Sequence, residues 1–94
     1  GGDFSITVGK NLGIAVKEKG SASFSKDLDI GSEKTITIKA KESIVIQSDK
    51  DITLKSGKAQ IMLKKDGKVE IKGGKINVKG SGDVKIKGSK VGIN

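Results

Sequence analysis

A repeat of eight residues is the feature that most constrains what this chain can fold into. Four apolar pairs follow one another at this step: Leu28/Ile30, Ile36/Ile38, Ile44/Ile46 and Ile52/Leu54. The two members of each pair are two residues apart, which places both side chains on one face of a β-strand but on different sides of a helix. Polar and charged residues fill the links between the pairs. The repeat therefore predicts very short strands joined by corners.

The same repeat extends over the whole chain. With the second member of each pair as a marker, twelve repeats follow one another, at steps of eight residues except for one step of nine and two of seven. The markers are Ile6, Ile14, Ala22, Ile30, Ile38, Ile46, Leu54, Leu63, Ile71, Val78, Ile86 and Ile93. No segment has the 3.6-residue apolar stripe of a helix. We therefore expect one all-β domain over residues 1–94, and, because the chain begins Gly1-Gly2 without methionine, a fragment of a larger protein.

The residue two positions after each marker becomes smaller along the chain. The series runs Val8, Val16, Phe24, then Ser32, Ala40, Ser48, Ser56, then Lys65, and finally Gly73, Gly80 and Gly88. If these side chains point inward, the cross-section narrows toward the C-terminus, because interiors pack densely. An inward lysine is costly unless it is paired, so we expect a local bulge that turns Lys65 outward.

The composition predicts a poor hydrophobic core. Only 33% of the 94 residues are hydrophobic, and Phe4 and Phe24 are the only aromatic residues. A chain of this size normally buries about two-thirds of its surface to offset its conformational entropy, so we expect partner chains to supply the missing burial. Two arrangements fit one apolar pair per repeat. Either one chain winds three repeats into each turn, or three chains each contribute one strand to each layer.

The stretch from Ile61 to Ile71 has two interpretations. Its Asp66-Gly67 dipeptide, flanked by alternating apolar residues, is typical of a tight β-hairpin. The flanking pairs nevertheless keep the eight-residue step through this stretch. The repeat therefore favours a corner of a continuing solenoid over a hairpin.

Most of the chain, and residues 51–94 most strongly, resembles the C-terminal β-helix of VgrG, the valine-glycine-repeat spike of bacterial type VI secretion, which is related to the needle of contractile-phage tail spikes. The N-terminal half departs from the family pattern, with Ser32, Ala40 and Ser48 where glycine would stand. The family repeat is Val-x-Gly followed by five residues. Val78-Lys79-Gly80 matches it, and Ile71-Lys72-Gly73 and Ile86-Lys87-Gly88 match with Ile in place of Val. The resemblance implies a homotrimer that forms an intertwined three-stranded β-helix, or triangular β-prism. The expected trimer core is Ile30, Ile38, Ile46, Leu54, Leu63, Ile71, Val78 and Ile86.

The resemblance also implies a function and a set of partners. The chain would be the rigid, secreted, membrane-puncturing needle of the spike, with transient membrane contact. A PAAR-repeat tip protein, carried with effectors, would dock on the last strands at Val91, Gly92, Ile93 and Asn94. The tube protein would meet the spike through N-terminal domains outside this chain. The alternatives are a phage tail-spike needle and a β-solenoid adhesin or polyanion-binding module.

The residue types argue against catalysis and cofactor binding. The chain has no His and no Cys, which are the usual general base and thiol nucleophile, so we expect no enzyme, no cofactor and no metal. The acidic pairs Asp27/Asp29 and Asp49/Asp51 are assigned to turns and solubility.

The positive charge is concentrated in the C-terminal part of the chain. Of the 19 lysines, eleven lie in residues 55–94 beside only three acidic residues, and the net charge of the chain is +8. The absence of Arg and the scarcity of aromatic residues argue against specific nucleic-acid binding. Basic charge near the tip, at Lys85, Lys87 and Lys90, instead favours approach to anionic membrane surfaces.

Overall fold

The computed structural model describes residues 1–94 and is all-β, with three strands and no helix. Strand β1 is Ile52–Ser56, β2 is Ala59–Leu63 and β3 is Val69–Lys72. The chain divides into two units, Gly1–Ile38 and Lys39–Asn94, and all three strands belong to the second unit. The predicted all-β class is confirmed, whereas the single domain over residues 1–94 stays a prediction.

The three strands form an antiparallel sheet in the order β1-β2-β3. The β1–β2 pairing runs from Ile52 opposite Leu63 to Ser56 opposite Ala59, so a two-residue loop joins these strands. In this loop Gly57 has a φ of 54°, while Lys58 does not have a positive φ. A positive φ at the first loop residue alone is the pattern of a type II′ turn, whose twist matches that of the flanking strands.

A three-residue loop, Lys65-Asp66-Gly67, lies at the centre of the connection between β2 and β3. The backbone N–H of Lys64 donates to the carbonyl oxygen of Lys68 at 2.9 Å, and that of Gly67 donates back to the carbonyl oxygen of Lys64 at 3.0 Å. Gly67 has a φ of 96°, and the Asp66 carboxylate accepts a hydrogen bond from the Lys68 N–H at 3.1 Å. These contacts close a hairpin.

The prediction that residues 61–71 form a corner of a continuing solenoid is therefore wrong. An eight-residue step does not separate the two structures, because a hairpin of this length also returns apolar residues to the same face of the sheet. Local turn chemistry decides between them, since glycine takes the left-handed conformation at no steric cost. Lys65 lies in the loop and is exposed. A turn followed by a glycine of positive φ, the pattern of a hairpin loop that ends in a bulge at Gly67, therefore keeps Lys65 off the apolar face.

Outside the sheet, the backbone bends at nearly regular intervals. In Gly1–Ile38 the bends fall at residues 9–10, 17–18, 25–26 and 33–34. In Lys39–Asn94 they fall at 41–42, 49–50, 74–75, 81–82 and 89, with the two hairpin loops between the second and the third. The side-chain oxygens of Ser32 and Ser48 each accept a hydrogen bond from the backbone N–H two residues on, at 3.2 Å. The bends fall on the polar links of the sequence repeat.

The chain by itself has no hydrophobic core, because no residue is buried. In the three regular pairs from Leu28 to Ile46, the first members are 52–54% exposed and the second members 69–72%. A folded monomer of 9.8 kDa exposes about 5,200 Å², whereas this chain exposes 10688 Å². A solenoid in which one chain encloses its own core is therefore not formed.

Candidate functional site

The two faces of the β1–β3 sheet differ in chemistry. Because successive side chains of a strand point to opposite faces, the register places six large aliphatic side chains on one side. They form two cross-strand rows, Leu54–Ile61–Ile71 and Ile52–Leu63–Val69. We call this side the apolar face. All but Ile52 are among the exposed large hydrophobic residues, and Ile52 is half-exposed, so nothing in the chain covers this face.

Three of the eight residues predicted for the trimer core lie on the apolar face, namely Leu54, Leu63 and Ile71. The sequence repeat aligns all three in one column. In the sheet, Leu54 and Ile71 share one row, but Leu63 lies in the other, because the hairpin reverses the direction of β2. The other five lie outside the sheet and are exposed: Ile30, Ile38, Ile46, Val78 and Ile86.

A shallow depression of about 320 Å³ lies beside the loop that joins β1 and β2. It is lined by Leu54, Lys55, Ser56, Ala59, Gln60 and Ile61. The pair of small residues, Ser56 opposite Ala59, lies beside the larger Leu54 and Ile61 there. The repeat does not predict this hairpin, because the nine-residue step from Leu54 to Leu63 differs from the regular step by only one residue. The signal for it is Gly57 between two short β-like segments.

The opposite side of the sheet, which we call the basic face, carries polar residues and Met62. Its rows are Lys55–Gln60–Lys72 and Thr53–Met62–Glu70, and Lys64 stands opposite Lys68 just beyond them. Like charges directly opposite each other are unfavourable, and one carboxylate relieves this repulsion. The Lys68 ammonium lies 3.1 Å from a carboxylate oxygen of Glu70, in the one ion pair of the structure.

The charge environment of Glu70 follows from this arrangement. The hydrogen bond from the Lys68 side chain lowers the pKa of Glu70, and the positive charge of Lys68 adds to this effect. Desolvation of the carboxylate opposes the shift, and the charges of Lys64 and Lys72 lower the pKa a little further. Lys55, Lys64 and Lys72 have no carboxylate partner of their own.

The glycines of the Val-x-Gly repeats lie close to residues at the start of the next repeat. A Cβ atom at Gly80 would lie 3.1 Å from a methyl carbon of Val84, and one at Gly88 would lie 3.3 Å from the carbonyl oxygen of Lys90. At Gly73 the nearest atom, in Ile76, is at an ordinary contact distance of 3.6 Å. Two of these glycines therefore let the backbone bend closely onto the start of the next repeat.

The residues predicted to dock a tip protein follow the bend at residue 89. Val91, Gly92, Ile93 and Asn94 are all exposed, belong to no strand and make no backbone hydrogen bond. Their backbone groups and the Val91 and Ile93 side chains are thus accessible. Their role in docking stays a prediction.

No three His, Cys, Asp or Glu side chains come together in a group that could hold a metal ion. The structure also contains no helix of the length and apolar character needed to cross a membrane. No protein-family profile, curated protein or solved structure matches this chain. The repeat, the two faces of the sheet and the resemblance, which is strongest over residues 51–94, are therefore the features that bear on function.

Proposed function

We propose that this chain is the shaft of a homotrimeric, membrane-puncturing spike of the type VI secretion class. The observation that carries the proposal is the combination of a nearly regular bend period with apolar pairs that remain exposed in most repeats; the exceptions are Gly20/Ala22, which is not a large apolar pair, and Ile52, which is half-exposed. Side chains at these positions are costly to leave in water. A repeat that exposes them throughout its length needs a partner with the same period, and further copies of the chain have it.

The size of the exposed area supports obligate assembly. The chain exposes 10688 Å², which exceeds the expectation for a folded monomer by about 5,500 Å². Obligate interfaces bury about 2,000–5,000 Å² or more and resemble a domain core cut in half. Three narrow apolar faces that meet around one axis would form such a core.

In the proposed spike the apolar face of the β1–β3 sheet points toward the axis and the basic face points to solvent. The antiparallel β1–β3 sheet is then a local departure from the path that the chain follows in the other repeats. Closure around the axis removes lateral edges and gives a rigid shaft. The resemblance to the valine-glycine-repeat spike supports a non-enzymatic needle, secreted with effectors.

The C-terminal residues Val91–Asn94 are the proposed docking site for a PAAR-repeat tip protein. Unpaired backbone groups and two exposed aliphatic side chains are suited to strand addition by a partner. The tube protein would meet the spike through other domains of the whole protein.

Light scattering of the purified chain tests the proposal. We expect a mass three times 9.8 kDa. Ile38→Asp, which places a charge in the proposed core, should lower the mass to that of a monomer, whereas Thr37→Asp, at the neighbouring position between the two members of the pair, should leave it unchanged. A stable monomer at high protein concentration would refute the trimer and the needle with it.

A further inference from the structure

We propose that the basic face of the β1–β3 sheet is a docking surface for anionic lipid headgroups. Lys55 and Lys72 flank Gln60 in one cross-strand row, and Lys64 lies on the same side just beyond β2. None of the three has a carboxylate within ion-pair distance. Within the three strands the only acidic side chain on this face is Glu70, which is paired with Lys68, and Asp51, directly before β1, forms no ion pair. The face therefore presents three ammonium groups that take part in no ion pair.

The same three lysines begin a longer column. Each directly follows a marker residue, and the position after the next two markers is also lysine, at Lys79 and Lys87. The column thus holds lysine in five consecutive repeats. In the preceding six repeats this position is Thr7, Ala15, Ser23, Gly31, Lys39 and Gln47, with a single lysine. Uninterrupted lysine at this position therefore starts at the sheet.

The chemistry of the face favours lipid phosphate over nucleic acid. Residues 55–94 contain no Arg and no aromatic residue, so this part of the chain lacks the groups for bidentate recognition and for base stacking. Lysine is a point charge on a flexible stem and attracts phosphate without requiring fixed geometry. A fluid surface of anionic headgroups provides such phosphates at high density, and basic residues near it each add attraction.

This inference rests on the proposed function, because it states the chemistry by which the proposed needle would contact a bilayer. The physical basis of the binding lies in the sheet itself. The lysines belong to the side opposite the apolar face, so assembly through the apolar face leaves them accessible.

Vesicle co-sedimentation with the full chain tests the inference. Wild-type protein should bind phosphatidylcholine vesicles containing phosphatidylserine, should not bind pure phosphatidylcholine, and should be released as salt is raised. The triple variant Lys55→Gln, Lys64→Gln, Lys72→Gln should lose about a hundredfold in partition coefficient, since each of the three basic residues contributes about fivefold. The control variant Lys10→Gln, Lys17→Gln, Lys26→Gln loses the same charge from Gly1–Ile38 and should retain binding.

A second variant, Lys79→Gln with Lys87→Gln, leaves the sheet untouched and should lose part of the binding. Equal losses in the face and control variants would overturn the inference, as would equal binding to neutral vesicles. Tighter binding to duplex DNA than to vesicles at matched phosphate concentration would also overturn it. Light scattering separates the two proposals. A trimer that does not bind anionic vesicles would refute only the proposed lipid-docking surface, whereas a monomer would refute the proposed needle.

Discussion

At the scale of single residues, Gly67 has the most demanding backbone conformation. Its φ is 96°, and a side chain in the left-handed region costs about 1–2 kcal/mol. We expect Gly67→Ala to lower the free energy of unfolding by about 1 kcal/mol, measured by chemical denaturation. Gly74→Ala is the control, because Gly74 has no positive φ and a methyl group there would meet no atom within 4 Å. Equal effects of the two substitutions would contradict the assigned loop.

Gly88 and Gly82 give a second pair of residues with opposite expectations. A methyl group at Gly88 would approach the Lys90 carbonyl oxygen at 3.3 Å, whereas one at Gly82 would meet nothing within 4 Å. We expect Gly88→Ala to destabilise by about 1 kcal/mol. Gly82→Ala should be neutral or stabilise by about 0.4–1 kcal/mol, because it restricts the unfolded chain. Thermal melting of both variants checks the signs, and stabilisation by Gly88→Ala would rule out the close approach.

The pH dependence at Glu70 follows from its lowered pKa. The usual value is 4.5, and the Lys68 hydrogen bond and charge lower it in the folded state. A carboxyl whose folded pKa is lowered contributes stability that is present above the unfolded pKa and is lost as the pH falls through the folded pKa. We expect wild-type protein to lose stability in acid relative to Glu70→Gln. Parallel stability curves for the two proteins below pH 4.5 would contradict the ion pair.

At the scale of elements, the sheet depends on the separation of its two faces. A three-stranded sheet gains most of its stability from burial of its apolar face. We expect Ile61→Asp, in the centre of the apolar face, to abolish assembly, because it buries an unpaired charge. Thr53→Asp, on the basic face, should leave assembly intact. Sedimentation velocity distinguishes the outcomes, and a full-size assembly of Ile61→Asp would show that this face is not an interface.

The sequence predicts some of these elements and not others, for physical reasons. The pairs from Leu28 to Leu54 predict an all-β chain with corners on the polar links, because strand periodicity is a local property. The hairpin at residues 61–71 is visible in the sequence as an alternative but is not the favoured one, since an eight-residue step satisfies both structures. The basic face is not predictable from the repeat, because bringing Lys55 into the same row as Lys72 requires the β1-β2-β3 pairing.

At the scale of the whole molecule, the absence of a core within one chain leads us to expect that folding and association are one process. A chain that exposes 10688 Å² gains little from folding alone, so in the proposed trimer most of the stability would come from contacts between copies. A protein that is stabilised by its partners has an unfolding temperature that depends on concentration. For a trimer, each tenfold increase in concentration adds about 2.8 kcal/mol per trimer to the free energy of unfolding, since two association steps each contribute about 1.4 kcal/mol.

Thermal unfolding followed by circular dichroism over a hundredfold concentration range checks this expectation. The unfolding midpoint should rise steadily with protein concentration, and the midpoint of the control variant Thr37→Asp should show the same dependence. A midpoint that does not move would mean that each chain folds by itself, which would contradict coupled folding and assembly.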